Sequence, residues 1–256
     1  MPKLYVCSDI HGFFNEFKKA LDDAGFEPNN SEHLLIGCGD YMDRGSQPYE
    51  TMQYLKGISN KVLCKGNHET LLLECLKRQE AWSHDIQNGT DKTIAILGKY
   101  YETRWAPTWY ESCMVVEKPM QEWINNMVNY FETCNYIFCH GFIPCYTSGV
   151  KPWHKRNIIY SKRDDWRSAT DSEWEDAMWI NGMKACGIDN VYEEGKIIVV
   201  GHYHTSWGRK QFENKDELGE NADFSPFYYK NKLIAIDACT AYSKKVNILV
   251  LEDELM

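Results

Sequence analysis

The stretch LYVCSDIHG, residues 4–12, contains the first predicted strand of the chain and its first pair of candidate metal ligands. Its apolar opening, residues 4–7, predicts a short buried β-strand. Asp9 and His11 follow with one residue between them, and we expect the side chain of Ile10 to point away from both. The two polar side chains can therefore face the same metal ion.

Four further segments place polar side chains directly after an apolar run. They are GDYMDRG at 39–45, GNHE at 66–69, CHG at 139–141 and GHYH at 201–204. Loops at the carboxyl ends of the strands of an open α/β sheet converge on one crevice, so these distant segments can meet in one site. Together they supply enough ligands for two divalent ions, and two cations beside an arginine indicate chemistry on a phosphate ester.

Seven side chains are candidate metal ligands. They are Asp9, His11, Asp40, Asn67, His140, His202 and His204. The carboxylate of Asp40 can bridge two ions, and Asn67 offers a neutral carboxamide oxygen. Mixed oxygen and nitrogen ligands suit Mn, Fe, Zn or Ni better than Mg or Ca. We therefore expect two divalent ions, with Mn serving in vitro.

Three residues carry the expected catalysis and phosphate binding. A hydroxide that bridges the two ions would attack phosphorus, and His68 would donate a proton to the leaving alkoxide. Asp43 would hold His68 in the imidazolium form by ion pairing. Arg44 would bind the phosphate through its planar fork of donors.

Strand-like apolar runs alternate with helical spacing through the first 78 residues. The predicted strands are 4–7, 33–36 and 62–64, and the predicted helices are 13–24, 48–55 and 69–78. This βαβαβα opening implies a parallel sheet with helices packed on it. Later strands are predicted at 136–139, 197–200, 233–236 and 246–250. Because no long helix separates the last three, we expect them to build a second sheet.

Two segments interrupt this pattern. Residues 80–130 are rich in Trp and Tyr, and we interpret them as a helical insertion near the site. Residues 145–195 form a second, irregular insertion. Repeats and low-complexity linkers are absent from the sequence, so we interpret residues 1–256 as a single domain.

Composition narrows the class of protein. The chain has 256 residues, of which 43% are hydrophobic and 25% charged, as is ordinary for a globular protein. Its formal net charge of -9 argues against broad nucleic-acid binding, which needs a basic surface. No apolar segment approaches the length of a membrane span, so we expect no membrane association.

Ten cysteines are many for this length, yet the chain has no CxxC pair. Cys7, Cys38, Cys64 and Cys139 lie in the apolar runs just before the motifs, and we expect them to be small buried strand residues. The first predicted strand begins almost at Met1, which leaves no room for a signal peptide. We therefore expect a reducing, cytoplasmic setting.

The chain resembles the calcineurin-like metallophosphoesterases, and more narrowly the PPP-type Ser/Thr phosphatases of bacteria and phages. Those proteins carry Asp-x-His-Gly, Gly-Asp-x-x-Asp-Arg-Gly and Gly-Asn-His-Glu, followed by two separate histidines. All three motifs are present unaltered, at 9–12, 39–45 and 66–69. The resemblance implies an α/β fold, namely a four-layer αββα sandwich with a two-metal site.

The resemblance also implies a role for each matching residue. The first-metal ligands would be Asp9, His11 and Asp40, and the second-metal ligands would be Asp40, Asn67, His140 and His202. His68 with Asp43 matches the general-acid pair, and Arg44 matches a phosphate-binding arginine. Asn67 would also contact the substrate.

Two departures from the family pattern affect the expected substrate. The family usually has Trp-x-Arg before the Gly-His motif, but here the corresponding segment ends in Asn181. Arg163 or Arg167 could supply the missing phosphate contact, and we favour Arg163. His204 gives a Gly-His-x-His ending that is typical of the phosphodiesterase branch, in which the last histidine ligates the first metal.

The leading hypothesis is metal-dependent hydrolysis of phosphomonoesters, either phosphoserine and phosphothreonine in proteins or small phosphoesters. One alternative is a diadenosine tetraphosphatase-like hydrolase of phosphoanhydrides, and another is a phosphodiesterase. A catalytically silent metal-binding interaction module is the remaining alternative from outside the enzymes.

Overall fold

A computed structural model describes residues 2–102, 107–149 and 158–256. The first half of the chain contains β1 (Lys3–Cys7), α1 (Phe14–Asp23), β2 (His33–Cys38), α2 (Pro48–Gly57), β3 (Lys61–Cys64), α3 (Asn67–Arg78), α4 (Ser83–Asn88), α5 (Thr90–Tyr101) and α6 (Trp109–Ile124). The second half contains β4 (Tyr130–Glu132), β5 (Tyr136–Cys139), β6 (Tyr146–Ser148), β7 (Ile159–Ser161), α7 (Asp171–Ala177), α8 (Gly182–Gly187), β8 (Ile197–Val200), α9 (Thr205–Glu213), β9 (Phe227–Tyr229), β10 (Leu233–Ala235), α10 (Thr240–Ser243) and β11 (Leu249–Glu252).

The first sheet has the strand order β11-β1-β2-β3. Strands β1, β2 and β3 are parallel, and each is followed by a helix, so the predicted βαβαβα opening is confirmed. The parallel arrangement brings the carboxyl ends of all three strands to one edge of the sheet. The first three motifs begin at this edge.

The second sheet has the strand order β4-β5-β8-β10-β9. Its three central strands, β5, β8 and β10, are parallel, and β4 and β9 pair antiparallel at the two edges. The predicted strands 136–139 and 197–200 match β5 and β8, and the predicted strand 233–236 is one residue longer than β10. The last two motifs follow β5 and β8.

The final strand differs from the prediction in position and in partner. We expected 246–250 in the second sheet, but β11 begins at Leu249 and pairs antiparallel with β1 in the first sheet. Val246 and Ile248 pack instead into the core under the first helical layer. The side-chain amide of Asn247 donates to backbone carbonyls of the loops beside it, which holds this segment out of a strand ladder. The apolar pattern of 246–248 therefore reflects core packing, and only Leu249 and Val250 of the predicted strand belong to β11.

Three apolar cores separate four layers. Along β1, Leu4 and Val6 face the second sheet, whereas Tyr5 and Cys7 face the helices, as the two-residue period of a strand requires. Helices from the first half cover the outer face of the first sheet, and α7, α8 and α9 cover the outer face of the second. The four-layer αββα sandwich is confirmed. The four strand cysteines, Cys7, Cys38, Cys64 and Cys139, are all buried, as expected.

The two insertions extend the outer layers. In 80–130, α4, α5 and α6 pack beside α2 and α3. In 145–195, the antiparallel strands β6 and β7, a 3-10 helix at Trp166–Ser168, α7 and α8 pack on the second sheet. Parts of these insertions, 103–106 and 150–157, lie outside the described residues. In the described ranges no helix is both long and apolar enough to cross a bilayer. The interpretation of 1–256 as one domain stays a prediction.

Candidate metal centre and active site

The candidate site is built on loops with unusual backbone geometry. Six of its residues other than glycine have positive φ: Asp9 at 53°, His11 at 51°, Asp40 at 58°, Asp43 at 67°, Arg44 at 64° and His202 at 66°. Such values are uncommon outside glycine, and they cluster at functional sites because surrounding structure must hold them there. Backbone hydrogen bonds from Asp9 to Gly39 and from His11 to Asp40 supply part of that support.

Six of the seven predicted metal ligands come together where the carboxyl ends of the strands of both sheets meet. Two groups have all their ligand atoms within 4.8 Å of one another: His11, Asp40 and His68, and Asp40, His140 and His202. Asp9 Oδ1 lies 3.8 Å from His11 Nε2, and Asn67 Oδ1 lies 2.8 Å from His140 Nε2. Asp40 belongs to both groups, which is the position that a bridging carboxylate requires.

Three of the four candidate histidine ligands are oriented in the same way. Each directs one ring nitrogen to a backbone group, as metal-ligating histidines commonly do. The three contacts are His11 Nδ1 to the Met42 carbonyl (3.0 Å), His140 Nδ1 to the Cys38 carbonyl (2.7 Å), and His202 to the backbone of Trp179. For His11 and His140, donation from Nδ1 leaves Nε2 directed at the other ligands.

Charge in the centre favours a cation. Burial alone would raise the pKa of the Asp40 carboxyl, but His140 and His68 outweigh burial and hold it well below its usual range. Burial raises the pKa of Asp9 to about 6. Burial would lower the pKa of His140, but the nearby Asp40 carboxylate raises it to about 10. In the absence of an ion, a protonated His140 therefore balances the buried carboxylates.

His68 is held by a carboxylate rather than by a backbone carbonyl. Its Nδ1 lies 2.8 Å from Asp43 Oδ2, and the same oxygen accepts a hydrogen bond from Thr90 Oγ1 at 2.7 Å. Burial lowers the pKa of His68, but the charge of Asp40 and the hydrogen bond to Asp43 outweigh burial and raise it. Its Nε2 faces the centre, 3.9 Å from Asp40 Oδ2.

Arg44 extends across the first ligand group. Its Nη1 lies 2.9 Å from His11 Nε2, and its Nη2 lies 3.1 Å from His68 Nε2. A guanidinium only donates hydrogen bonds, so both imidazole nitrogens accept here. This contact places a fork of donors directly beside the candidate ligands.

Glu69 is a site residue to which sequence analysis gave no role. Its buried carboxylate accepts hydrogen bonds from the backbone N–H groups of Asp40 (2.9 Å), Tyr41 (2.9 Å) and Gly66 (3.0 Å). Glu69 therefore fastens the loop after β2 to the loop after β3. Its place in the Gly-Asn-His-Glu motif was the signal available in the sequence.

Two threonines of the first insertion also support the site. Thr90 donates to the Asp43 carboxylate, and Thr93 Oγ1 accepts from the Asp43 backbone N–H at 3.1 Å. Both belong to α5, so the prediction that the helical insertion lies near the site is confirmed. Nothing in the sequence singled out these threonines, because their partner is 47 or more residues away.

Other predicted residues have different contacts. His204 Nδ1 lies 2.8 Å from Ser206 Oγ, and its Nε2 lies 3.7 Å from Glu217 Oε1. His204 is outside both ligand groups identified among the described residues. Asn181 caps α8, since its Oδ1 accepts from the Lys184 backbone N–H at 3.0 Å. Its side-chain oxygen therefore serves the helix.

The two arginines considered as replacements for the missing phosphate contact are both paired with carboxylates. Arg163 donates to Asp165 and Glu173. Arg167 donates to Glu132 and Glu193. The role of Arg163 in phosphate binding stays a prediction, and that role would require it to exchange carboxylate partners for phosphate.

The residues present fit a pair of divalent ions. The donors are carboxylate oxygen, carboxamide oxygen and imidazole nitrogen, a set suited to Mn, Fe, Zn or Ni. The backbone also approaches closely: a Cβ added to Gly66 would lie 2.2 Å from Asp40 Oδ1. Backbone carbonyls thus orient His11 and His140, and the backbone of Gly66 packs directly against the Asp40 carboxylate.

Comparisons with known proteins agree with this geometry. A family model described as "Calcineurin-like phosphoesterase" matches residues 2–236. A symmetrical bis(5'-nucleosyl)-tetraphosphatase from Aromatoleum aromaticum is 33% identical over 72 residues, which are 28% of this chain and 26% of that protein. Serine/threonine-protein phosphatase PP1-delta from Caenorhabditis elegans is 37% identical over 73 residues, which are 27% of this chain and 23% of that protein. The matches thus span about a quarter of each of these relatives.

A solved structure resembles the whole chain. The cold-active protein-tyrosine phosphatase of a psychrophilic Shewanella species has a TM-score of 0.53 and 16% sequence identity, and the match covers 98% of this chain and 76% of that one. At this identity the likeness supports the fold alone. The family match over residues 2–236 shows that the chain belongs to the calcineurin-like phosphoesterase family.

Proposed function

We propose that the chain is a metal-dependent phosphoesterase that hydrolyses phosphomonoesters, with phosphoserine and phosphothreonine of proteins as candidate substrates. The main support is the His68–Asp43 pair, which directs one imidazole nitrogen into a cluster of six candidate ligands. A proton donor beside a two-metal cluster is the arrangement that ester hydrolysis needs.

The ligand roles follow from the two groups. Asp9, His11 and Asp40 would hold one ion, and the other would be held by Asp40 with Asn67, His140 and His202. Divalent ions, when bound, stabilise the negative charge that develops on phosphate oxygens and lower the pKa of water. We propose Mn as the ion most effective in vitro.

The catalytic roles belong to three neighbouring side chains. His68 Nε2 accepts from Arg44, so it would take up a proton once Arg44 turns its guanidinium to phosphate, and it would then give that proton to the leaving alkoxide. Asp43 would stabilise the imidazolium through Nδ1. Thr90 keeps the Asp43 carboxylate in place. Arg44 would present its two terminal nitrogens to two phosphate oxygens, because a guanidinium fork matches that geometry.

A second candidate function is hydrolysis of a dinucleoside polyphosphate. It is supported by the short match to a symmetrical bis(5'-nucleosyl)-tetraphosphatase. A phosphodiesterase is the third candidate. It would use His204 as a further ligand, and the ring of His204 contacts Ser206 and Glu217.

A substrate panel with Mn²⁺ tests the proposal. The purified chain is given para-nitrophenyl phosphate, a phosphoserine peptide, bis-para-nitrophenyl phosphate and diadenosine tetraphosphate. We expect release of phosphate from the monoesters, and loss of that release in Asp40→Asn. Faster cleavage of the diester or of the tetraphosphate would replace the monoesterase proposal. Failure to cleave any of them, with metal bound, would support an interaction module.

A further inference from the structure

A cavity of about 530 Å³ opens beside the candidate metal centre. The second insertion forms most of it: the paired strands β6 and β7 lie on one side, and α7 and α8 lie on another. The loop after β8 and the start of α9 complete the lining. The volume falls in the range of sites that take small organic molecules.

The lining is rich in aromatic side chains. They are Tyr146, Tyr160, Trp179, Tyr203 and Trp207. Two of them connect the cavity to the candidate centre: the ring centroids of Trp179 and Tyr203 lie 5.8 and 5.0 Å from that of His202. If the phosphate of a substrate lies at the metal centre, its organic part could therefore reach the cavity past the rings of Trp179 and Tyr203.

The charges in the cavity argue against a second phosphate group. Arg163 and Lys184 are the basic side chains that line it. Arg163 donates to Asp165 and Glu173, and Lys184 donates to Asp189 at 2.6 Å. Because carboxylates already balance both cations, the cavity suits an uncharged planar group better than an anion.

Polar groups at the same wall can contact the edge of a planar ring. Asp176 lines the cavity and offers a carboxylate acceptor. Asn181 lines it too, and because its oxygen accepts from the backbone of Lys184, its amide N–H groups are the part left to donate. An acceptor and a donor beside aromatic faces match the mixed edge of a nucleobase.

We propose that this cavity binds a nucleobase carried by the organic part of the substrate, an inference that rests on the proposed phosphoesterase function. Among small phosphomonoesters, the chain would then prefer those of nucleosides over those that lack a base. The base would lie among the aromatic rings while the phosphate lies at the metal centre.

The test compares adenosine 5'-monophosphate with ribose 5-phosphate, which carry the same phosphate and sugar and differ in the base. We expect kcat/KM with Mn²⁺ to be about 5-fold to 100-fold higher for the nucleotide, the range that stacking of one base provides. Trp207→Ala should lower kcat/KM for the nucleotide about 10-fold more than for ribose 5-phosphate. Trp207→Phe, which keeps an aromatic ring, should retain most of the preference.

Controls separate this inference from the proposed function. Tyr110→Ala, on the exposed surface of α6, should leave both substrates unaffected. Equal turnover of the two substrates by the unaltered chain would overturn the nucleobase cavity while leaving the phosphoesterase intact. A preference for phosphotyrosine, rather than for the nucleotide, would overturn the choice of occupant.

Binding provides a readout that is independent of turnover. If the chain hydrolyses neither substrate, the proposed function fails, and calorimetric titration with adenosine 5'-monophosphate and ribose 5-phosphate still tests the cavity. Tighter binding of the nucleotide, weakened by Trp207→Ala, would support the inference. Equal binding of the two compounds would overturn it.

Discussion

His68 differs from the candidate metal ligands in what holds its ring. His11 and His140 point Nδ1 at backbone carbonyls, whereas His68 points it at the Asp43 carboxylate. A carboxylate beside Nδ1 stabilises the imidazolium form of the ring. The Asp43 contact therefore supports the proposal that His68 is a proton donor.

Replacement of His68 tests this distinction. His68→Asn removes the proton donor but leaves the candidate ligands in place, so kcat should fall by roughly 10²–10⁴, the usual contribution of general acid–base catalysis. Metal content, measured by mass spectrometry of the purified variant, should stay unchanged. His84→Asn, at an exposed side chain in α4, serves as the matched control and should keep full activity. Full activity of His68→Asn would remove His68 from the acid role.

Glu69→Gln tests the carboxylate that joins two loops. Both carboxylate oxygens of Glu69 accept hydrogen bonds from backbone N–H groups. In the glutamine variant an NH₂ group would replace one of these oxygens and would face a backbone N–H donor. We expect the free energy of unfolding to drop by about 1–3 kcal/mol, the cost of leaving a buried group unsatisfied. Urea denaturation measures the change.

Glu74→Gln is the control for this change, because Glu74 lies on the same helix with an exposed side chain. It should alter the unfolding free energy by less than about 0.5 kcal/mol. Similar decreases of the unfolding free energy in the two variants would mean that the hydrogen bonds of Glu69 do not stabilise the fold more than those of an exposed glutamate.

Sequence motifs singled out candidate ligands that the structure brings together, but they gave no sign of the contacts that support them. Asp40 and His140 were singled out because their chemistry depends on residue type. His204 matches the pattern equally well, yet its ring contacts Ser206. Thr90 supports Asp43 from a distant helix. Side-chain direction and long-range partners depend on packing, which residue types alone do not encode.

Gly201 directly follows β8 of the second sheet and packs against Ser8 and Asp9, which follow β1 of the first sheet. A Cβ added to Gly201 would lie 1.9 Å from Ser8 Oγ and 2.3 Å from Asp9 Oδ2. Gly201→Ala should therefore displace the Asp9 carboxylate, weaken metal binding and lower the unfolding free energy by about 1–3 kcal/mol, as overpacking does. Metal titration and thermal unfolding measure both effects.

Gly57, at the end of α2, is the matched control. A Cβ there would meet nothing within 4 Å. Gly57→Ala should leave metal binding unchanged and should stabilise the helix by up to about 1 kcal/mol. Equal metal affinity in Gly201→Ala and Gly57→Ala would contradict the close packing described for the loop after β8.

At the scale of elements, the spacing of apolar residues was most informative where all residues of an element pack in the same way. The buried strands β1, β5 and β8 were predictable because both faces are apolar. The segment 246–250 was not, because Val246 and Ile248 pack under helices before the strand begins at Leu249. The alternation of apolar residues indicates which side chains are buried. It does not indicate which helix or strand they pack against.

At the scale of the whole molecule, the buried charges predict how stability depends on pH. Folding raises the pKa of His140 to about 10, of Asp237 to about 8 and of Glu69 to about 7. Above about pH 6.5 the metal-free folded chain thus binds protons that the unfolded chain has lost, so the unfolding free energy should fall as pH rises toward about 10. His11 and His202, whose pKa values are lowered from 6.5, oppose this trend only at the lower end of the window, where the unfolded chain still protonates them in part.

Urea denaturation in the presence of a chelator, at several values between about pH 6.5 and pH 10, measures this trend. Added Mn²⁺ should reduce the fall, because metal binding favours the deprotonated ligands. A metal-free chain whose stability rises across the window would contradict the assigned charges.

The layer order could be predicted from the sequence only through the family resemblance. The βαβαβα opening implied a parallel sheet, but the second sheet, with antiparallel β4 and β9 at its edges, has no comparable signature. The placement of β11 beside β1 joins the two ends of the chain, and such a pairing depends on which sheet edge is open. Topology of this kind follows from global packing.

In the proposed two-metal centre both ions share the Asp40 carboxylate. Anomalous X-ray scattering at the Mn edge, from crystals grown with Mn²⁺, tests this arrangement most directly. We predict two peaks roughly 3.5–4 Å apart, the usual spacing of paired catalytic ions, on either side of Asp40. One should lie beside Asp9 and His11, and the other beside His140 and His202. A single peak, or peaks remote from Asp40, would contradict the account.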